Sequence, residues 1–321
     1  MLITTLLVWM VSSKDGWYSG LEAAKSPIAR VDLKLKRPEG KPELGVRVTY
    51  PKTPVKAPVL VWSHGMYGSQ NGNLPLVEVW AKAGYVVIQP THGDSATLMS
   101  PEARRELLRN PNTNNTGSWN ERPLDIRLVL DQFSEIEAKV PELKGRLDAQ
   151  RIGMGGHSFG AWTTQVVAGC KLGGGLGTSL SDPRPLAFVA LSGQGPSPLM
   201  PAEGFAELKR PVLWATGDLD TSPRGETPAW RKQAYELAAP GDKFLVWIKD
   251  ATHGFGGING RDFGLLTRAG VTNDKNEEHV KIIQSTTLAF WDAYVKADPA
   301  ARKYLTEKQI EKIAGVTLSL K

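Results

Sequence analysis

The sequence predicts an α/β fold in which helices cover both faces of a mostly parallel central sheet. From about residue 31, strand-like and helix-like segments alternate, a pattern typical of such sheets. The segments APVLVW (57–62) and YVVIQ (85–89) are almost wholly apolar, as strands buried on both faces are. Because no linker interrupts the alternation, we predict a single domain over residues 25–321.

Each element follows from its own pattern. Residues 31–36 and 45–50 alternate apolar and polar side chains on either side of a Pro-Glu-Gly turn, which predicts an antiparallel hairpin at one end of the sheet. Helical spacing of apolar residues over 76–83 stops at Gly84, a typical helix end. Similar patterns predict helices at 122–140, 161–168, 228–238 and 277–296, and further strands at 151–155, 186–191, 212–215 and 244–248.

Composition and charge argue against several classes of partner. The formal net charge is +6, but the lysines and arginines are scattered and no nucleic-acid motif is present, so we expect no nucleic-acid partner. The one cysteine, Cys170, cannot form an intrachain disulfide or a cysteine-rich metal site. We predict that it packs inside the helix that follows residue 160.

The N-terminus carries an apolar run, Leu2 to Val11, followed by two serines. Its length of about ten residues matches a signal-peptide core and is too short to cross a bilayer, so we expect no stable membrane insertion. A basic segment ahead of the run is missing, which leaves a buried first strand as the alternative. We favour a signal peptide over residues 1–13, and therefore export over a cytoplasmic location.

The most informative stretch is GMGGHSFGAW (153–162), which contains a Gly-x-Ser-x-Gly motif centred on Ser158. This motif marks a nucleophilic serine where it joins a strand to a helix; elsewhere the serine belongs to an ordinary glycine-rich turn. Here the predicted strand RIGMG precedes the motif and the predicted helix AWTTQVVAG follows it. Gly156 and Gly160 suit such a turn, because neighbouring backbone approaches too closely for a β-carbon. We therefore predict that Ser158 is a nucleophile.

A serine hydroxyl needs a base, and the base needs an orienting carboxylate. Of the five histidines, His253 lies in the segment KDATHGFGG, which directly follows the predicted strand FLVWI, whereas His157 adjoins the serine and His279 lies on the polar face of a late helix. The acid is expected in a loop between the serine and the histidine, and PVLWATGDLDTSP supplies Asp218 and Asp220. We prefer Asp220, because Asp218 is close enough to the strand end to bond the turn backbone.

Attack on a carbonyl also requires hydrogen-bond donors for the developing oxyanion. One predicted donor is the backbone amide of Phe159, the residue after the nucleophile. The other is expected in a loop after an early strand, where His64 and Gly65 open a turn, and we choose the amide of Met66. The alternative for this stretch is an ordinary glycine-containing turn.

Several segments together resemble one family, the serine α/β-hydrolases grouped as predicted dienelactone hydrolases. These are akin to platelet-activating-factor acetylhydrolases and more distantly to cutinase-like polyester hydrolases. The resemblance spans roughly residues 30–295. It rests on SHGMYGS (63–69), RPLDIRLVLDQ (122–132), GRLDAQRIGMGGHSFGA (145–161), PVLWATGDLDTSP (211–223) and ATHGF (251–255).

The resemblance implies an α/β-hydrolase fold and hydrolysis of a small-molecule carboxylic ester through an acyl-serine, without a metal or an organic cofactor. Dienelactone hydrolases proper use a cysteine where this chain has Ser158, so ester hydrolysis is implied but a lactone substrate is not. For Arg122 and Asp125, which fit the family's Arg-Pro-x-Asp pattern, we predict a structural role at a helix N-terminus. The triad implied is Ser158, Asp220 and His253, with Met66 and Phe159 as oxyanion donors.

We expect a serine esterase that acts on short or medium acyl esters. Amide, thioester or polyester cleavage by the same triad is the alternative among enzymes, and a non-catalytic binding module is the alternative outside them. We interpret residues 93–120, a helical piece at 101–109 and the turn-rich NPNTNNTGSW, as a cap beside the active site; the alternative is a disordered surface loop. Trp119 and Trp162 are candidates for lining an acyl pocket, with packing in the core as the alternative for both and the preferred one for Trp162.

Overall fold

A computed structural model of the protein describes residues 15–110, 119–221, 225–259 and 276–321. At its centre is a single nine-stranded sheet. Within these residues the strand order is β1-β2-β4-β3-β5-β6-β7-β8-β9. The strands are β1 Ile28–Leu35, β2 Leu44–Pro51, β3 Ala57–Ser63, β4 Val86–Pro90, β5 Leu147–His157, β6 Ala187–Leu191, β7 Val212–Leu219, β8 Lys243–Thr252 and β9 Val316–Leu320.

The pairing confirms the predicted α/β class and the mostly parallel sheet. The six strands from β4 to β8 run parallel to their neighbours, and the antiparallel pairs lie at the two edges. At one edge, β1 and β2 form the predicted antiparallel hairpin, with Val31 opposite Val48. At the other edge, β9 pairs with β8. The sequence analysis missed β9, a short edge strand that no helix follows.

Helices occupy the connections between the strands. Those described are α1 Ser19–Ala23, α2 Leu74–Lys82, α3 Pro101–Arg109, α4 Glu121–Asp131, α5 Phe133–Lys139, α6 Phe159–Val167, α7 Pro228–Leu237, α8 Glu277–Tyr294 and α9 Pro299–Thr306.

Three local predictions about these helices were wrong. The single helix predicted over 122–140 is two helices, because the backbone leaves the helical region at Gln132, whose side-chain amide donates to the Lys36 carbonyl at 2.7 Å. Cys170 is buried as predicted, but it lies after α6 rather than inside it. His279, predicted on a polar helix face, is buried, with 7% of its surface exposed.

Two hydrophobic cores lie on opposite faces of the sheet. Successive residues of β3 alternate between them: Val59 and Val61 pack into one core, and Leu60 and Trp62 into the other. Helices α4 to α7 cover the first core, and α1, α2, α8 and α9 cover the second. This two-sided burial explains why β3 is apolar at nearly every position.

The carboxyl ends of β3 and β5 lie next to each other at the centre of the sheet. The chain leaves β3 towards β4 on one side and later enters β5 on the other. In open α/β sheets such a reversal opens a crevice beyond the strand ends, where ligands bind. The turns that follow Ser63 and His157 meet at this crevice.

Some predictions concern residues outside the described part of the chain. These are the signal peptide or first strand over 1–13 and the central part of the 93–120 segment, residues 111–118. The helical piece predicted at 101–109 is α3. Among the described residues, no helix combines the length and apolarity needed to cross a membrane.

Candidate active site

Ser158 lies on the sharp turn between β5 and α6. Its backbone has φ +56° and ψ −117°, a conformation that residues with a β-carbon rarely adopt. The Ser158 amide donates to the Leu191 carbonyl at 2.9 Å, which ties the turn to the end of β6. Backbone strain of this kind is characteristic of functional sites, and it leaves the hydroxyl half-buried at the carboxyl edge of the sheet.

The two flanking glycines allow the turn to pack against β3. A β-carbon on Gly160 would lie 2.0 Å from the Ser63 carbonyl oxygen, and one on Gly156 would lie 2.4 Å from the Gly160 carbonyl. Both distances are far below van der Waals contact. The close approach predicted for Gly156 and Gly160 is therefore present in the structure.

The three side chains predicted to act together form one hydrogen-bonded chain. His253 Nε2 lies 2.9 Å from Ser158 Oγ, and His253 Nδ1 lies 2.7 Å from Asp220 Oδ1. A carboxylate can only accept, so the imidazole hydrogen lies on Nδ1 and Nε2 is left to accept from the serine hydroxyl. This is the tautomer that a general base needs in order to take the proton of Ser158.

Asp220 is held in place by three donors. Thr216 donates its hydroxyl to Asp220 Oδ2 at 2.9 Å, and Arg231 Nε lies 3.1 Å from Oδ1, beside the imidazole of His253. Burial alone would raise the pKa of the Asp220 carboxyl, but the charge of Arg231 and the hydrogen bond from His253 outweigh it and hold that pKa below its usual range. Asp220 is fully buried and ionised, whereas Asp218 is exposed and accepts from Trp247 and from the Asp250 amide.

The sequence predicted the pairing of Asp220 with His253 but gave no sign of Arg231. Besides Asp220, its guanidinium donates to the Ser192 carbonyl at 2.9 Å, and only 1% of its side chain is exposed. It thus joins the end of β6 to the loop that carries the acid. No local motif marks an arginine on α7 for this role, because its partners are distant in sequence.

His157 supports the base without touching the nucleophile. Its Nε2 lies 2.7 Å from the His253 carbonyl oxygen, and the two rings are 4.8 Å apart. Burial, the largest cause, lowers the pKa of His157 to about 3, so its ring is neutral and Nε2 carries the hydrogen that it donates. His157, the residue next to Ser158, therefore binds the backbone of His253.

The loop after β3 lies beside the nucleophile. A β-carbon on Gly65 would be 3.6 Å from Ser158 Cβ, so the backbone at Gly65, the residue before Met66, lies beside the Ser158 side chain. Phe159 is the first residue of α6, and a helix offers no internal acceptor to the amides of its first turn. The structure thus brings both predicted oxyanion donors, the amides of Met66 and Phe159, to the vicinity of Ser158.

Arg122 and Asp125 do not serve the N-terminus of their helix as predicted. The guanidinium of Arg122 is fully buried and forms an ion pair with Asp94 at 2.7 Å, under the loop after β3. Asp125 accepts from Arg37 at 2.6 Å and from His92 Nδ1 at 2.9 Å. Asp125 is engaged by the cation of Arg37 and the ring of His92, and Arg122 by the carboxylate of Asp94 and by loop carbonyls, so both bind tertiary partners instead of the helix N-terminus.

His92 completes a second Ser-His-Asp arrangement that sequence reasoning missed. His92 Nε2 lies 2.9 Å from Ser63 Oγ, and its other nitrogen bonds Asp125. Unlike Ser158, Ser63 is completely buried and has a regular strand conformation. The arrangement therefore has a structural role, in which it anchors the end of β3 from which the loop departs.

An aromatic cluster lies on the α6 side of the nucleophile. The rings of Phe159 and Trp162 are 5.7 Å apart, and Trp119 packs edge-on against Trp162 at 6.1 Å. Trp162 belongs to the core, with 7% of its surface exposed, whereas Trp119 and Phe159 are partly exposed. Of the two candidate pocket residues, Trp119 is thus the more available to a ligand.

The site brings Ser158, His253 and Asp220 into one relay at the carboxyl edge of the sheet. Met66 and Phe159 directly follow Gly65 and Ser158 in the chain, and the buried guanidinium groups of Arg122 and Arg231 bind the Gly65 carbonyl and Asp220. No protein-family model matches this chain, and no curated protein is significantly similar to it.

Proposed function

We propose that this protein is a serine carboxylic-ester hydrolase with an α/β-hydrolase fold, akin to the predicted dienelactone hydrolases. The proposal rests above all on the Ser158–His253–Asp220 relay, with hydrogen bonds of 2.9 and 2.7 Å. Three features support it further: the strained turn at Ser158, the order of the three residues along the chain, and the glycine-opened loop beside the hydroxyl.

The proposed reaction has two halves. His253 Nε2 takes the proton of Ser158 as Oγ attacks the ester carbonyl, and the amides of Met66 and Phe159 hold the oxyanion. His253 then gives the proton to the leaving alcohol, which produces the acyl-serine. Water attacks this acyl group with His253 as base, and the acid leaves as Ser158 regains its proton.

The substrate class follows from what surrounds the hydroxyl. The partly exposed rings of Phe159 and Trp119 offer an apolar surface on one side, which suits a short or medium acyl chain. The same first steps also begin amide, thioester and polyester cleavage. A panel of p-nitrophenyl esters of increasing acyl length, with an anilide, a thioester and a polyester film, would rank these activities by kcat/KM.

The decisive variant is Ser158→Ala. We expect it to fold normally and to lose p-nitrophenyl acetate hydrolysis by at least about 10⁴-fold, because no other hydroxyl occupies the relay. A fluorophosphonate probe should label the wild-type protein and Ser179→Ala, an exposed serine changed as control, but not Ser158→Ala. Hydrolysis or labelling that persists in Ser158→Ala would refute the proposal.

A further inference from the structure

The peptide between Gly65 and Met66 is held from its carbonyl side. In a trans peptide the carbonyl and the amide N–H lie in one plane and point in opposite directions, so fixing the carbonyl also aims the amide. His64 Nε2 accepts from the His92 amide at 3.0 Å, which leaves the hydrogen on Nδ1, and Nδ1 donates to the Gly65 carbonyl at 2.6 Å. Arg122 Nη2 donates to the same carbonyl at 3.2 Å.

Arg122 also holds the residues on both sides of that peptide. Its Nη1 donates to the His64 carbonyl at 2.6 Å, and its Nε and Nη2 bond both oxygens of Asp94 at 3.0 and 2.7 Å. Asp94 in turn accepts from the Tyr67 amide at 3.2 Å. The ion pair therefore holds the loop on both sides of Met66. Arg122 binds the carbonyls of His64 and Gly65 before it, and Asp94 binds the amide of Tyr67 after it.

The same guanidinium contacts the second oxyanion donor. It lies 4.3 Å from the centre of the Phe159 ring, a cation–π contact with the residue whose amide is the other donor. The side chains of Arg122 and Asp94 are 0% and 1% exposed, so water does not compete for these contacts. The buried guanidinium of Arg122 thus contacts both the loop that carries Met66 and the ring of Phe159.

We propose that Arg122 is a positioning residue that aims the amides of Met66 and Phe159 at the oxyanion; this inference rests on the proposed function. Preorganised donors stabilise a transition state because they need no reorientation when charge develops. Hydrogen bonds to the Gly65 carbonyl also polarise its peptide and make the Met66 amide a stronger donor. Arg122 touches neither substrate nor reacting atoms, so its effect should fall on kcat.

The test compares Arg122→Met with a matched control, Arg146→Met. Arg146 is also a buried arginine that binds loop carbonyls, those of Pro51, Val55 and Glu142, but it lies at the amino end of β5, opposite the nucleophile. We expect Arg122→Met to lower kcat for p-nitrophenyl acetate about 10²-fold, with KM within about threefold and an unchanged pH inflection. Arg146→Met should keep kcat within about twofold of wild type, and Arg122→Lys should recover part of the loss because it restores the cation without the planar fork.

The outcomes separate this inference from the proposed function. Equal kcat in Arg122→Met and Arg146→Met, in a protein whose hydrolysis depends on Ser158, would overturn the role of Arg122 alone. Wild-type protein that hydrolyses no ester would overturn the proposed function and this inference with it. If Arg122→Met does not fold, Asp94→Asn gives the same test: a kcat about tenfold below wild type is expected, and a wild-type kcat would overturn the inference.

Discussion

Asp218 and Asp220 show how two like residues, two positions apart, take different roles. In a regular strand, side chains point alternately to the two faces of the sheet, so residues two positions apart share a face. The β7–β8 pairing shifts its register between Gly217 and Leu219, which interrupts this regularity. As a result, Asp220 is fully buried against His253 and Arg231, while Asp218 stays at the surface. Residue type and spacing nominated both aspartates with a preference for Asp220, and burial and hydrogen-bond partners separate them in the structure.

Replacing each acid by asparagine tests this distinction. Asp220→Asn should lower kcat for p-nitrophenyl acetate by about 10³- to 10⁴-fold, because a neutral amide neither fixes the His253 tautomer nor stabilises the imidazolium. Asp218→Asn keeps an oxygen acceptor for the Trp247 indole and should retain kcat within about threefold. Steady-state kinetics on both variants provide the measurement. A larger loss in Asp218→Asn than in Asp220→Asn would contradict the assignment of the acid.

The turn from β5 into α6 packs closely against the end of β3. Gly160 lies against the Ser63 carbonyl, so the first turn of α6 packs directly on the backbone of β3. This packing fixes the distance between the nucleophile and the loop that carries Met66. The strained φ of Ser158 is maintained by those surrounding contacts rather than by its own preference.

Gly160→Ala should therefore damage both stability and activity. Its β-carbon would meet the Ser63 carbonyl oxygen at 2.0 Å, and neither backbone segment can move without disturbing the sheet. We expect a loss of at least about 2 kcal/mol in the free energy of unfolding, measured with urea, and a clear fall in kcat. Gly45→Ala is the control, because a β-carbon on Gly45 comes no closer than 3.5 Å to its neighbours. Equal unfolding free energies for the two variants would argue against the close packing.

Sequence patterns predicted the parts of the site that are local and missed the parts that are not. The strands around the nucleophile are runs of apolar residues, and Ser158 and His253 each directly follow one, so short windows suffice to find them. Arg122 contacts residues 28 to 59 positions away, and Arg231 reaches back 39 positions to Ser192. Gln132, where the helix breaks, likewise bonds the distant Lys36 carbonyl. Such contacts follow from the tertiary arrangement, which no periodicity encodes.

At the scale of the whole molecule, the region beneath the site contains three buried neutral histidines. Burial is the largest cause that lowers the pKa of His64, His92 and His157. The cation of Arg122 lowers the pKa of His64 and His92 further. Each ring uses its neutral form, with one nitrogen donating and the other free to accept. Protonation of any of them would place a charge on a buried ring and remove its accepting nitrogen.

This arrangement predicts a loss of stability in mild acid. A histidine whose folded pKa is lowered contributes its full stabilisation above its unfolded pKa of about 6.5 and loses it as the pH falls towards the folded value, about 3 for His157. Each such histidine adds up to about 1.4 kcal/mol per pH unit to the slope of the unfolding free energy in that window. Urea unfolding between pH 7 and pH 5 should therefore show a steep fall, and His157→Gln, which cannot be protonated, should show a shallower one. An identical slope in His157→Gln would mean that the His157 ring is protonated in the folded protein as readily as in the unfolded chain, and the neutral support of His253 would then be wrong.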